Sequence, residues 1–129
     1  MQAVDTNVVV RFLTSDDVRQ ANKARAVVGQ TRVFVSRTVV LEVEWVLRGV
    51  YGFSSGQVVA GIRAIAGLPG VEIEDADLVA KALDWTESGM DFADALHLGA
   101  AANCQGFLTF DQRLARSAAR MTSTAVSVL

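Results

Sequence analysis

QAVDTNVVVRFL, residues 2–13, is the stretch on which the fold turns. Its opening Gln2–Val4 is a short apolar run of strand character, and Asp5 follows it directly. Thr6–Leu13 then pulls two ways. Its β-branched run favours a strand, while its place just after a strand end favours the start of a helix. Periodicity leaves the two open. In either case Asp5 stands at the carboxyl end of a strand, the edge beyond which open parallel α/β sheets bind their ligands.

Working outward, four more short apolar runs read as strands: Val33–Val35, Val71–Ile73, Phe107–Thr109 and Ala125–Leu129. Between the runs, Asp17–Val28, Arg37–Val50, Ser55–Ala66, Ala76–Thr86 and Phe92–Asn103 carry apolar residues at spacings of three and four, which predicts amphipathic helices. Alternation of strand and helix implies parallel strands, right-handed crossovers and helices on both faces of one sheet. Gly49 and Gly52 close one helix, and Leu68-Pro69-Gly70 makes a turn ahead of the third strand. There is no internal repeat.

Composition narrows the class. The chain has 129 residues, 51% of them apolar and 20% charged, with a single proline, which suits one folded domain and excludes a disordered or low-complexity chain. One cysteine, Cys104, excludes an internal disulfide and a cysteine metal cluster, and points to a reducing compartment. Arg11, Glu42, Arg48 and Arg63 interrupt the most apolar regions, so no membrane span is expected. The opening MQAVD has no basic region ahead of its apolar residues and does not read as a signal peptide, so a cytoplasmic protein is expected. A net charge of −2 excludes gripping nucleic acid by bulk charge alone, so any phosphate partner is held locally.

Four acids draw the eye. Asp5 and Asp111 sit just past predicted strands, where an aspartate is also a good helix N-cap. For Glu42, taking Val39, Val43, Val46 and Val50 as the buried stripe puts its carboxylate about 60–70° from the stripe centre, with no cation three or four residues away. It then needs a polar group from distant sequence or a bound cation. Glu44 points the other way in this reading, as a solvated partner of Arg48. In GMDFADALHLGAAANC, residues 89–104, Ala95, Leu98, Ala101 and Ala102 form the apolar face, Asp94 flanks it, and Asp91 fits an N-cap. His97, the only histidine, lies one turn beyond Asp94, where it either orients a carboxylate or is purely structural. Four carboxylates at one sheet edge repel each other unless a cation neutralises them. An all-oxygen donor set suits Mg²⁺ or Mn²⁺, with waters and substrate phosphate completing the shell.

With these residues in place, the sequence resembles the PIN-domain endoribonucleases, and within them the VapC-type toxins of type II toxin–antitoxin modules. The opening motif matches AVDTNVVVRFL, the central acid is Glu42 in VVLEVEWVLRGVYG, the third is Asp94 in DFADALHLGAAA, and the fourth is Asp111 in FLTFDQRLAR. The resemblance implies a single PIN domain over residues 1–129, a three-layer α/β sandwich whose central parallel sheet has about five strands in the order 3-2-1-4-5, and a helix at Thr6–Leu13. It also implies a metal-dependent endoribonuclease in which Asp5, Glu42 and Asp94 are the core ligands of Mg²⁺ or Mn²⁺. Asp111 would complete a second metal position or orient the water, and Asn7 and Thr109 would support the site. The implied partners are an RNA substrate, a cognate antitoxin and a second copy of the chain, with no membrane. A mean hydropathy of +0.32 is compatible with large interfaces. Two rivals stand beside this reading. A phosphoryl-accepting receiver domain needs a lysine late in the chain, and none follows Asp94. A catalytically inactive PIN module would act as an RNA-binding or protein-interaction scaffold, against which the presence of all four acids counts.

Overall fold

Val33 and Val35 are buried and Phe34 between them half-buried, as expected of a strand with neighbours on both sides. In the computed structural model, which describes residues 1–129, this segment is the middle strand of a parallel sheet. The elements in chain order are β1 (Gln2–Ala3), α1 (Thr6–Leu13), α2 (Val18–Gln30), β2 (Val33–Val35), α3 (Arg37–Gly49), α4 (Ser55–Ala66), β3 (Val71–Ile73), α5 (Ala76–Glu87), α6 (Phe92–Ala100), β4 (Phe107–Thr109), α7 (Gln112–Met121) and β5 (Val126–Val128). No helix is long and apolar enough to cross a membrane.

The chain divides into two compact units, Met1–Ala76 and Asp77–Leu129. In the first, β1-β2-β3 form a parallel sheet with Gln2 opposite Val33 and Val33 opposite Val71. Thr6–Leu13 is a helix. Asp5 Oδ1 accepts the amides of Asn7 and Val8 at 3.2 and 3.4 Å, and Thr6, Val9 and Val10 at helical spacing bury one face, which together outweigh the β-branched run. Ser54 and Gln57 close a reciprocal capping box at the start of α4. Arg11 at the end of α1 donates to Gln20, Asp16 and Tyr51, and Tyr51 donates to Asp16 at 2.9 Å, which ties the α1–α2 loop to the loop after α3.

In the second unit, β4 and β5 pair in parallel, Phe107 opposite Val126, and the Leu129 amide donates to the Thr109 carbonyl at 2.8 Å. Leu114 and Ala118 are the buried positions of α7. Gly99 on α6 faces Leu78 and Trp85 of α5 so closely that a Cβ there would meet the Leu78 Cδ1.

Three expectations are corrected. The five strands form two sheets, of order β1-β2-β3 and β4-β5, and not one five-stranded sheet. These are the 3-2-1 and 4-5 segments of the expected order. At two residues, both exposed, β1 is too short for the central strand that a single sheet requires. The buried face of α3 is Val40, Val43, Glu44 and Leu47, not Val39, Val43, Val46 and Val50. Apolar residues run almost all the way round this helix, so spacing alone cannot phase it. Finally, α6 stops at Ala100, three residues short of Asn103, and α7 was not expected at all, because only Leu114 and Ala118 of its ten residues are buried.

Candidate functional site

The unit Met1–Ala76 brings two of the four acids together. Asp5 follows β1 and caps α1 through Oδ1, which leaves Oδ2 without a protein partner. Thr6, next in the chain and buried, donates its hydroxyl to Glu42 Oε1 on α3. Glu42 is exposed, contrary to the core-edge position expected of it, and its Oε2 has no protein partner. Thr6 is thus a polar partner from distant sequence, one of the two alternatives, with a cation, that the sequence left open for Glu42. Nothing marked Thr6 beforehand except its place on the α1 face that carries Val9 and Val10. Asn7 is exposed and contributes its backbone amide to Asp5.

Glu44, expected in solvent, is buried at 5% exposure. Arg48, one turn on, makes this possible by reaching back with Nε 2.7 Å from Glu44 Oε2. The pairing was legible in the sequence and the burial was not. Beyond β2 and β3, the Arg37 backbone amide and Nε both donate to Glu74 Oε1, at 3.0 and 3.3 Å, and its Nη1 reaches Asp75 at 3.0 Å. The Arg37 amide first, and its side chain second, hold the Glu74 carboxyl below its ordinary value. Asp75 adopts φ +50, a left-handed backbone that a short polar residue tolerates.

The unit Asp77–Leu129 assembles the other two acids around Asp91. Asp91 is the N-cap of α6, accepting the Asp94 amide at 3.1 Å, as its position suggested. Asp111 caps α7 through Oδ1, at 2.8 Å from the Arg113 amide and 3.1 Å from that of Leu114, so its Oδ2 is also free of protein partners. Thr109 supports this turn by accepting the Asp111 amide at 3.0 Å. Asp94 is half-buried. Burial pushes its carboxyl above the ordinary value, the charges of Asp91 and Asp111 push it further, and His97 pulls it part of the way back. His97 thus acts on Asp94 through charge.

None of Asp5, Glu42, Asp94 and Asp111 has a basic side chain in an ion pair, and neither do Asp17, Asp77 and Asp91, whereas Asp16, Glu44, Glu72, Glu74 and Asp75 each have an arginine. No three His, Cys, Asp or Glu side chains stand together as a ready-made metal site. The donor chemistry nonetheless fits a hard divalent ion, which binds through one or two carboxylates and fills its other positions with water and phosphate. Three of the acids hold one oxygen fixed and offer the other, and the raised proton affinity of Asp94 is what a nearby cation relieves.

The family model described as PIN domain matches residues 3–120. No curated protein matches the chain. Among solved structures, Mycobacterium tuberculosis VapC20, described as a sarcin-ricin loop cleaving toxin, is similar at 23% sequence identity over 97% of this chain and 99% of that one, with a TM-score of 0.45. The family match runs through all four acids and through both units, and on that ground the chain belongs to the PIN domain family.

Proposed function

We propose that the protein is a Mg²⁺- or Mn²⁺-dependent endoribonuclease that hydrolyses RNA phosphodiester bonds, and that residues 1–129 act as one PIN domain. The observation that supports this reading is that Asp5, Glu42, Asp94 and Asp111, the acids to which the resemblance assigns the site, make no ion pair with a basic side chain, within a chain whose residues 3–120 match the PIN domain family. A bound divalent ion lowers the pKa of a water and stabilises charge on the scissile phosphate. Asp5, Glu42 and Asp94 are the ligands in this reading, and Asp111 orients the water or serves a second metal position. The chain's own residues do the rest. The amides of Asn7 and Val8 fix one oxygen of Asp5, Thr6 fixes one oxygen of Glu42, and the amides of Arg113 and Leu114 fix one oxygen of Asp111, so each acid presents its second oxygen in a set direction. Asn7 and Thr109 act by holding these turns.

The order and spacing of the motifs extend the reading to a VapC-type toxin, cytoplasmic and homodimeric, held in check by a cognate antitoxin. The exposed apolar residues Trp45, Val50, Leu108 and Phe110 offer the kind of surface that protein partners cover. A carboxylate set that accepts a metal–phosphate complex also accepts a guanidinium or ammonium group, so the antitoxin should insert Arg or Lys against Asp5, Glu42 or Asp94.

The test is cleavage of purified RNA by purified protein in EDTA and after addition of Mn²⁺, with and without the product of the reading frame immediately upstream. We expect cutting only with metal, and its loss at saturating partner. Cutting that persists in EDTA contradicts the metal-dependent mechanism, and undiminished cutting in the saturated complex contradicts the mode of inhibition.

A further inference from the structure

Helix α7, Gln112–Met121, reads QRLARSAARM and contains no acid. At about 100° per residue, Arg113, Arg116 and Arg120 fall within about 60° of one another, opposite the buried Leu114 and Ala118. All three are exposed, and none makes an ion pair or a side-chain hydrogen bond. Of the other arginines, Arg11, Arg32, Arg37 and Arg48 each have a carboxylate partner and Arg19 and Arg25 on α2 have none, so what sets α7 apart is three such arginines on one face of a helix without an acid.

This arrangement is unfavourable for the helix itself. Like charges three and four residues apart repel, and Arg113 in the first turn meets the positive end of the helix dipole, although Arg120 in the last turn is favoured by the negative end. A stripe of exposed arginines along one helix, without carboxylate partners, is an electrostatic footprint that suits an anionic partner. The stripe begins two residues after Asp111, and from Arg113 to Arg120 it spans about 10 Å, the length of about three stacked nucleotides.

We propose that the outer face of α7 is a binding track for the phosphate backbone of the RNA substrate, with Arg113, Arg116 and Arg120 as its phosphate contacts. The proposal rests on the nuclease reading above and adds to it where the strand lies: along α7, leading to the Asp111 end of the helix. Arginine suits this task because its planar fork meets phosphate oxygens in pairs. Contacts of this kind position a strand without reading its sequence, and their strength depends on salt.

The test compares wild type with Arg113→Gln/Arg116→Gln/Arg120→Gln, with the triple Arg→Lys variant at the same positions, and with Arg19→Gln/Lys23→Gln, a pair of exposed cations on another helix, α2. Circular dichroism first verifies that each variant is folded. Fluorescence anisotropy of a fluorescein-labelled oligouridylate, in EDTA so that nothing is cut, gives the salt dependence of binding. The α7 glutamine triple should reduce the slope of log K against log salt by about 2, at about 0.7 for each contact to a single strand, while the lysine triple and the α2 pair keep the wild-type slope to within about one contact. With Mn²⁺ and a cleavable RNA, the glutamine triple should raise KM at least about tenfold at low salt, with kcat within about twofold of wild type. An unchanged slope overturns the track, as does an equal loss in the α2 pair, which would mark diffuse attraction, or a fall in kcat at constant KM. A wild type that cuts RNA beside an unaffected glutamine triple refutes the track and leaves the nuclease reading standing. A wild type that binds through α7 but never cuts refutes the nuclease reading and leaves the track.

Discussion

Asp94 carries the clearest pH signature of any residue in the chain. Burial and the charges of Asp91 and Asp111 raise its folded-state pKa above the unfolded value, so the folded protein holds this proton to higher pH than the unfolded chain does. Stability from this group is favoured at low pH, falls as pH rises past the unfolded pKa, and reaches its full cost above the folded one. Metal-free Asp94→Asn should therefore melt at a higher temperature than metal-free wild type at pH 8. Mn²⁺ should stabilise wild type by about 2.7 kcal/mol when free metal is about 100 times its dissociation constant, and the variant by less. Calorimetry in EDTA and in Mn²⁺ checks both, and a less stable metal-free variant shifted equally by Mn²⁺ would mark Asp94 as a structural first-turn residue. Glu44 and Arg48 make the complementary case. Arg48→Ala leaves the Glu44 carboxylate buried without its bond at 2.7 Å and should cost about 1–3 kcal/mol in urea unfolding. At this scale the sequence reads local bonds well and packing less well. Asp91 as a cap and the Glu44–Arg48 pair were legible because both are local. Which of Glu42 and Glu44 is buried depends on where α3 packs, and the bond from Thr6 to Glu42 joins residues 36 apart.

Elements followed the sequence wherever a local signal marked both ends. Ser55–Ala66 and the strands Val33–Val35, Val71–Ile73 and Phe107–Thr109 have the expected bounds. The rest shows where periodicity runs out. Capping by Asp5 decides α1, and α7 escaped notice because a helix with two buried residues and an arginine face has little apolar periodicity. Close packing of α5 on α6 at Gly99 is another feature that spacing does not reveal. Gly99→Val should cost about 1–3 kcal/mol through its clash with Leu78, and Leu78→Ala in that background should recover part of the loss, which a double-mutant cycle measures. The clasp between the α1–α2 loop and Tyr51 is open to titration. The Tyr51 hydroxyl first, helped by Thr14 and Arg11, holds the Asp16 carboxyl below its ordinary value against an opposing effect of burial that is second in size only to the Tyr51 bond. The contribution of Asp16 is thus present above its unfolded pKa and lost as pH falls through the folded one. In Tyr51→Phe the Asp16 carboxyl, followed by NMR, should titrate closer to the ordinary range, and an unchanged titration would show that Tyr51 does not hold it.

Across the whole molecule, alternation of strand and helix was enough to set the α/β class and the parallel pairing, because both follow from chain order and crossover geometry. The expectation of one continuous sheet failed on a detail that sequence reads poorly, the length of β1. Asp5 and Asp111 are the caps of α1 and α7, Asp94 lies in the first turn of α6 and Glu42 lies within α3, and none of the four is in an ion pair with an arginine, as is also true of Asp17, Asp77 and Asp91. The central claim of the proposal is that these four acids serve a metal, and one measurement bears on it most directly: the Mn²⁺-dependent rate of RNA cleavage by Asp5→Asn, Glu42→Gln and Asp94→Asn beside Glu44→Gln, each verified as folded at the assay temperature. Loss of cleavage by at least about a hundredfold in the first three, with Glu44→Gln within a few-fold of wild type, is the predicted result. Equal losses in Glu42→Gln and Glu44→Gln, or full activity in any of the first three, would contradict it.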